Sequence, residues 1–202
     1  MRRSFVSLFV AAWGCLQGVA WSETTEPLAP KLMGERWATI EEAHRMVAPF
    51  SKEALFSVVI FVVQDCPIAN AYAPEFSRLF ERARVLGGQC TFVHVDWDLS
   101  REDAVAHAED YALPAEAIVI DRDHRLVNAV SAEITPEAVV VLSGGSLAYR
   151  GRVSDLFTDY GDRRRVVRSH DLRKAMDRAA QGTVTSENEW NPAVGCLIPK
   201  KE

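Results

Sequence analysis

The sequence predicts an α/β domain of three layers, in which a central mixed sheet carries helices on both faces. The run Leu55–Val63 is continuously apolar and rich in β-branched and aromatic residues, the composition of a strand buried on both faces. Strand and helix patterns then alternate in the order βαβα, as expected for parallel strands joined by crossover helices. With 202 residues, of which 48% are hydrophobic, the chain is long enough for one full core and short for two.

Helical patterns lie on both sides of this strand. Thr39, followed by an acidic pair, predicts an N-capped helix through Val47. A second helix is predicted directly after the strand, where Pro74 should kink it and Gly87-Gly88 should end it. Its apolar residues recur at three- and four-residue spacing: Ile68, Tyr72, Phe76, Leu79, Phe80 and Ala83.

The rest of the chain continues the alternation and closes with a hairpin and a helix. Turn residues at Ser143–Ser146 join the two hairpin strands. The predicted elements are a strand over Cys90–Trp97, a helix over Arg101–Tyr111 capped by Ser100, a strand over Ile118–Ile120, a helix over His124–Ala132, strands over Ala138–Leu142 and Leu147–Tyr149, and a helix over Asp171–Ala180.

The N-terminus has the pattern of a secretory signal peptide. Two arginines precede the apolar run Phe5–Ala12, and small residues flank Trp21. The apolar run is too short to span a bilayer, so we expect cleavage near Ser22, export to the periplasm or cell envelope, and no membrane span in the mature chain. Lipidation of Cys15 stays open. The domain prediction is a signal peptide over 1–22, a leader over 23–38, a folded domain over 39–182 and a C-terminal extension over 183–202.

Charge and histidine placement exclude several classes of partner. A net charge of −5 and a pI near 5.6 give no general attraction to nucleic acid or to anionic lipid. The histidines at 94, 107, 124 and 170 show no metal-ligand spacing. We therefore expect neither a metal nor another cofactor.

Cysteine placement points to thiol chemistry. Removal of the signal peptide leaves Cys66, Cys90 and Cys196, an odd number in a compartment where disulfides persist. Cys66 lies between a buried strand and a helix, where backbone N–H groups stabilise a thiolate, although the carboxylate of Asp65 opposes it. Spacing alone also allows one structural disulfide with a buried free cysteine.

Five separated motifs resemble those of the thioredoxin-fold redoxin and alkyl hydroperoxide reductase/thiol-specific antioxidant superfamily, and specifically an exported bacterial redoxin-domain subgroup. The resemblance covers about residues 39–180 and implies a thioredoxin-like fold. The motifs are Asp65-Cys66-Pro67-Ile68-Ala69-Asn70, Tyr72-Ala73-Pro74-Glu75, Thr135-Pro136-Glu137-Ala138, Tyr149-Arg150-Gly151-Arg152 and Val194-Gly195-Cys196-Leu197-Ile198-Pro199.

The resemblance also implies roles around the Cys66-Pro67 turn. Pro136 is expected to be a cis-proline beside the active cysteine, which leaves the Thr135 backbone free to pair with a substrate strand. Cys196 is a better resolving partner for Cys66 than Cys90, because Cys90 heads an inner strand and reads as a buried apolar residue.

Two further residues are candidates for supporting roles. Trp97 follows a strand on the side of the sheet where α/β folds bind ligands, so it could line the cleft near Cys66 or pack at its rim. Glu137, next to Pro136, could relay a proton.

Departures from better-known members of the superfamily narrow the function. Ala69 stands where a Cys-x-x-Cys motif has its second cysteine, and Val59 and Val63 replace the proline and hydroxyl residue of typical peroxiredoxins. We expect a thiol-disulfide oxidoreductase that reduces protein disulfides or, as an antioxidant, peroxides, with an unidentified electron donor. The alternative is a non-catalytic binding module with a structural Cys66–Cys196 disulfide, so enzyme activity stays open.

Overall fold

The structure, a computed structural model, describes residues 32–200 and is built around a five-stranded mixed sheet. Its strands are β1 (Trp37–Ala38), β2 (Met46–Val47), β3 (Phe56–Val62), β4 (Gln89–His94), β5 (Ile118–Ile120), β6 (Ile134–Thr135), β7 (Glu137–Leu142), β8 (Leu147–Gly151), β9 (Phe157–Asp159), β10 (Asp162–Arg163) and β11 (Cys196–Leu197). Its α-helices are α1 (Pro67–Ala71), α2 (Ala73–Val85), α3 (Arg101–Asp110), α4 (Arg125–Val130) and α5 (Asp171–Ala179). The predicted signal peptide lies outside the described residues.

The central sheet has the strand order β5-β4-β3-β7-β8. β3 and β5 are parallel to β4, whereas β7 is antiparallel to both β3 and β8. Every residue of β3 is buried, which agrees with its continuous apolar composition. The predicted mixed sheet is confirmed.

Alternate residues of β3 enter two separate hydrophobic clusters, one on each face of the sheet. Val58 and Ile60 pack in the larger cluster with residues of α2, α3 and α5. Val59 and Phe61 pack in the second cluster with residues of α4. Helices therefore cover both faces, as the sequence predicts, and β3 ends between the two layers.

The kink predicted at Pro74 takes the form of a complete break between α1 and α2. Proline has no N–H to continue the helical hydrogen bonds, and Tyr72 ends one helix and begins the next. The Tyr72 hydroxyl donates to the Ser154 carbonyl at 3.0 Å. The turn that carries Cys66 is thus followed by a helix of only 5 residues, anchored at its far end.

The helix predicted from Thr39 to Val47 is wrong, because residues 37–47 form the antiparallel hairpin of β1 and β2. The Thr39 N–H donates to the Arg45 carbonyl at 2.9 Å, and the Thr39 hydroxyl lies 3.4 Å from the Glu42 carbonyl, to which it donates. A capping threonine would instead accept from an N–H group. The hairpin is selected by contacts with the rest of the fold.

Both flanks of the predicted domain contribute to the packed structure. Leu32 and Met33, in the segment predicted as a leader, are buried in the second cluster, and Met33 bridges to Phe50. Residues 183–200, which we call the C-terminal segment, belong to the predicted C-terminal extension and contain β11. Within the described residues, no helix has both the length and the apolar character needed to cross a bilayer.

The C-terminal segment follows a defined path along the sheet edge to β6. The Thr185 N–H donates to a β8 carbonyl at 2.9 Å, and the Trp190 ring packs edge-on against Tyr149. The Asn191 carbonyl accepts from the Arg152 N–H at 3.0 Å. The segment then pairs, as β11, antiparallel to β6.

Candidate functional site

Cys66 lies in the turn after β3, and its side chain caps the N-terminus of α1. Its side chain accepts a hydrogen bond from the Ala69 N–H at 3.4 Å and donates one to the Thr135 carbonyl at 3.2 Å. Cys66 is only 1% exposed. Pro67, the first residue of α1, is exposed beside it. The thiol therefore lies under surrounding main chain, with few atoms able to reach it.

The sulfur of Cys196 is one of those atoms. The two Sγ atoms are 2.6 Å apart, across 130 positions of sequence, and both cysteines are free thiols. A disulfide bond measures about 2.05 Å, so a small displacement brings the pair to bonding distance. The structure thus places together the two cysteines that the resemblance pairs, while their roles stay a prediction.

Main-chain pairing with β6 holds Cys196 in this position. Cys196 faces Thr135 across the two strands, and Leu197 faces Ile134. The Thr135-Pro136 peptide bond is cis, as the resemblance implies. The expectation that the Thr135 backbone is free is wrong in this structure, because the protein's own C-terminal segment occupies it.

The ionisation of Cys196 is suppressed. Burial, followed by the hydrogen bond and charge of Cys66, raises the pKa of the Cys196 thiol to about 12. At neutral pH Cys196 therefore keeps its proton. In this arrangement Cys196 is poorly suited to attack first.

Cys90 is separated from this pair. It lies in β4, buried in the larger cluster, and burial raises the pKa of its thiol strongly. The prediction that it is a buried apolar residue is confirmed.

Glu137 begins β7 directly after the cis-proline. Its carboxylate accepts the Glu133 N–H at 3.0 Å and lies 3.4 Å from Nε of Arg150. Burial raises the pKa of Glu137, a larger effect than the lowering by the Glu133 amide and Arg150. These partners fix the carboxylate beside β6, and its role as a proton relay stays a prediction.

Trp97 lies beyond the end of β4. Its ring is at the surface, with the residue 44% exposed, and its carbonyl is 3.5 Å from an Arg122 nitrogen. The structure therefore places Trp97 at a rim, and its contribution to the cleft stays a prediction.

The turn that carries Cys66 is braced by a hydrogen-bond network that the sequence analysis did not predict. Nδ2 of Asn70 donates to the Gln64 carbonyl at 2.9 Å, and Oδ1 of Asn70 lies 3.0 Å from Nε2 of His107. On the other side, the Gln64 N–H donates to Asp96 at 3.1 Å. The network ties the turn to α3 and to the end of β4.

The two histidines next to this turn are buried. The rings of His94 and His107 are 5.0 Å apart, and Nε2 of His94 and Nδ1 of His107 have no hydrogen-bond partner. Burial, followed by the charge of His94, lowers the pKa of His107 to about 4. His107 is therefore neutral at pH 7 and donates from Nε2 to Asn70. Among the described residues, no three His, Cys, Asp or Glu side chains form a metal-binding group.

Comparison with known proteins identifies the fold. No protein-family model and no curated protein matches the sequence. An uncharacterized conserved protein from Geobacillus kaustophilus is similar in structure, with a TM-score of 0.72 and 19% identity over 88% of this chain and 92% of that one. A hypothetical protein from Sinorhizobium meliloti has a TM-score of 0.64 and 20% identity over 81% and 89%.

A third similar structure is that of an oxidoreductase. It is a secreted Mycobacterium tuberculosis disulfide oxidoreductase homologous to E. coli DsbE, with a TM-score of 0.50 and 17% identity over 74% of this chain and 98% of that one. These similarities establish that the chain has a thioredoxin-like fold, which confirms the fold that its motifs imply.

Proposed function

We propose that this protein is an exported thiol-disulfide oxidoreductase that uses Cys66 and Cys196 as its reactive pair. The observation that carries the proposal is the 2.6 Å separation of their sulfurs beside the cis-proline. A Cys-x-x-Cys protein places its second cysteine one helical turn after the first. Here Ala69 fills that position, and the C-terminal segment supplies the second thiol instead.

The reaction follows from the positions of the two thiols. The Cys66 thiolate attacks one sulfur of a substrate disulfide, forming a mixed disulfide and releasing the other substrate sulfur as a thiolate, which takes up a proton. Deprotonated Cys196 then attacks the Cys66 sulfur, so the second substrate sulfur leaves. The substrate has gained two electrons, and Cys66–Cys196 has become a disulfide. A dithiol electron donor restores both thiols by the same exchange.

The order of attack is supported by the surroundings of the two sulfurs. The Cys66 S–H donates to the Thr135 carbonyl, and once that proton is lost the Ala69 N–H is a contact that stabilises negative charge on the sulfur. Cys196, with its pKa raised to about 12, is the protonated partner until a mixed disulfide has formed. At that stage Cys66 carries no negative charge, so one of the causes that raise the Cys196 pKa is gone.

Disulfides fit this site better than peroxides. The positions that carry proline and a hydroxyl residue in typical peroxiredoxins are Val59 and Val63, which have no hydrogen-bonding side chain. Two further structures, a putative thiol:disulfide interchange protein DsbE from Chlorobium tepidum and dsbF of M. tuberculosis, have TM-scores of 0.52 and 0.51. The signal-peptide pattern supports export, as does the similarity to a secreted disulfide oxidoreductase.

A single-turnover experiment tests the proposal. The reduced full chain is mixed with disulfide-bonded insulin without added dithiol, and products are mapped by mass spectrometry after acid quenching. We expect the unmodified chain to yield the Cys66–Cys196 disulfide and reduced insulin, Cys196→Ser to accumulate a Cys66–insulin disulfide, and Cys66→Ser to yield neither. Cys90→Ala is the matched control and should behave as the unmodified chain. Unchanged insulin reduction by Cys66→Ser would contradict the proposal.

A further inference from the structure

The C-terminal segment binds its own domain as an extended peptide, with its cysteine at the reactive thiol. We propose, on the basis of the function above, that residues Gly195–Ile198 occupy the binding site of the protein substrate. Their pattern then describes the substrate segments this protein accepts: glycine, cysteine, an unrestricted residue and a branched apolar residue. The proposal assigns a substrate class to the site and makes the C-terminal segment its competitor.

The backbone contacts of this segment are of a kind that any extended peptide can make. We call Glu133–Thr135 the β6 edge. Cys196 and Leu197 pair with this edge, and the Ile198 N–H donates to the Glu133 carbonyl at 2.9 Å. Such main-chain hydrogen bonds give affinity without sequence preference, as in other proteins that bind a peptide by adding a strand to a sheet.

Selectivity at the position before the cysteine comes from the close approach of the main chains at Gly195 and Thr135. A Cβ atom placed on Gly195 would lie 1.9 Å from the Thr135 carbonyl oxygen. That oxygen also accepts the hydrogen bond from Cys66 and belongs to the strand that precedes the cis-proline, so the main chain cannot yield as a flexible side chain would. Only glycine fits before the cysteine at this distance.

Selectivity after the cysteine alternates along the strand. Leu197 is 76% exposed, so its position accepts any side chain. Ile198 is 8% exposed and packs in the second cluster, next to a cleft of about 680 Å³ lined in part by Val127 and Ala132. A charged residue at the Ile198 position would lose its hydration among the apolar side chains of the second cluster.

Occupation of the site by the C-terminal segment gives it a second role. Cys66 is almost completely buried beneath it, so a protein substrate must displace the segment before its disulfide reaches the thiol. The return of the segment would bring Cys196 to the mixed disulfide and take back the β6 edge. Resolution of the mixed disulfide and expulsion of the reduced substrate would then be one event.

Peptide exchange tests this inference on the reduced full chain carrying Cys196→Ser. One probe peptide repeats residues 193–200, a second has valine at the position of Gly195, and a third has aspartate at the position of Ile198. Each carries thionitrobenzoate as a disulfide on its cysteine. The Cys66 thiolate attacks the peptide sulfur, forms the Cys66–peptide disulfide and releases coloured thionitrobenzoate. We expect the first peptide to react at least about tenfold faster than either variant.

A second comparison tests displacement by the segment. Adding Gly195→Val to the Cys196→Ser chain should unseat the segment and speed the reaction of the first peptide. Adding Gly144→Val, in the turn between β7 and β8 where a Cβ atom meets nothing within 4 Å, should leave the rate unchanged. Equal rates for the three peptides would overturn the inference. The free reagent dithionitrobenzoate separates the two proposals. If it modifies Cys66 while the three peptides react at equal rates, only the proposed substrate class is wrong. If Cys66 reacts with neither the reagent nor any peptide, both proposals fail.

Discussion

At the scale of single residues, the two cysteines of the proposed reactive pair lie in different surroundings. The sulfur of Cys66 accepts a hydrogen bond from the Ala69 N–H. The pKa of the Cys196 thiol is raised by burial and by Cys66 itself. In the proposed reaction this difference makes Cys66 the first nucleophile and keeps Cys196 protonated until the mixed disulfide forms. The sequence could not predict this difference, because it depends on contacts between residues 130 positions apart.

The raised pKa of Cys196 predicts its reactivity toward iodoacetamide. The reagent reacts with thiolate, whose fraction rises about tenfold per pH unit below the pKa. In the reduced protein we expect the alkylation rate of Cys196, followed by peptide mass mapping, to keep rising from pH 7 to pH 10 without a plateau. In Cys66→Ser the rate at a given pH should be higher, since the thiol that raises the pKa is absent. A plateau below about pH 9 in the unmodified chain would contradict this assignment.

At the scale of elements, a helix or strand could be predicted from the sequence where its own residues determine it, and could not be predicted where contacts with distant residues determine it. β3 was predictable because burial on both faces leaves a continuous apolar run, and the break near Pro74 follows from a missing N–H. The helix prediction for residues 39–47 failed because it relied on a local capping pattern. The hairpin hydrogen bonds and the bond from the Ile40 N–H to the Ile118 carbonyl depend instead on the rest of the fold.

The hydrogen-bond network that braces the turn carrying Cys66 could not be predicted for a similar reason. His107 meets Asn70 only because α3 packs across the turn, and the spacing of the two residues in sequence has no regular meaning. The cis-proline and the cysteine pair were implied by resemblance, not by periodicity. The position of Cys196 beside Cys66 depends on the path of the C-terminal segment, and the local sequence patterns of that segment are too weak to predict its path.

The buried imidazole of His107 predicts a pH dependence of stability. Its pKa is about 4 in the folded protein and about 6.5 when unfolded, and the groups acting on it are His94, Asp96, Asp110 and Asp65. Between these values the unfolded chain binds more protons, so the unfolding free energy rises with pH. The contribution is complete above pH 6.5 and is lost toward pH 4, by up to about 3 kcal/mol.

Urea unfolding between pH 4 and pH 7 measures this contribution. His107→Gln can still donate to Asn70 but has no proton to gain, so we expect a flatter dependence of unfolding free energy on pH. The control is His44→Gln, because the His44 side chain is 85% exposed and should leave the profile unchanged. An identical slope for His107→Gln and the unmodified chain would contradict the assignment.

At the scale of the whole molecule, the C-terminal segment places a second cysteine beside the turn that carries Cys66. The Asn191 carbonyl accepts the N–H of Arg152, directly after β8, before the segment reaches β6, so the position of the segment depends on contacts remote from either sulfur. One anchor is tight: a Cβ atom on Gly151 would lie 2.3 Å from the Asn191 carbonyl oxygen.

This anchor can be tested without altering either cysteine. Gly151→Ala should push the segment away from β8 and lower the effective concentration of Cys196 at Cys66, slowing disulfide formation about tenfold under a limiting oxidant. Gly161→Ala is the matched control, since Gly161 also has a positive φ, +82° against +152° at Gly151, but a Cβ there meets nothing within 4 Å. Mass mapping of Cys66–Cys196 over time gives both rates. Equal rates for the two variants would show that this anchor does not position Cys196.

The measurement that tests the central proposal most directly is the reduction potential of the Cys66–Cys196 pair. The full chain is equilibrated across a graded series of dithiol buffers, alkylated and mapped by mass. An exchange-competent pair should form this bond with a potential above about −250 mV, in the range of oxidoreductases. A bond that resists reduction to below about −300 mV would mark a structural staple in a binding module, and the absence of any bond between these cysteines would contradict the pairing itself.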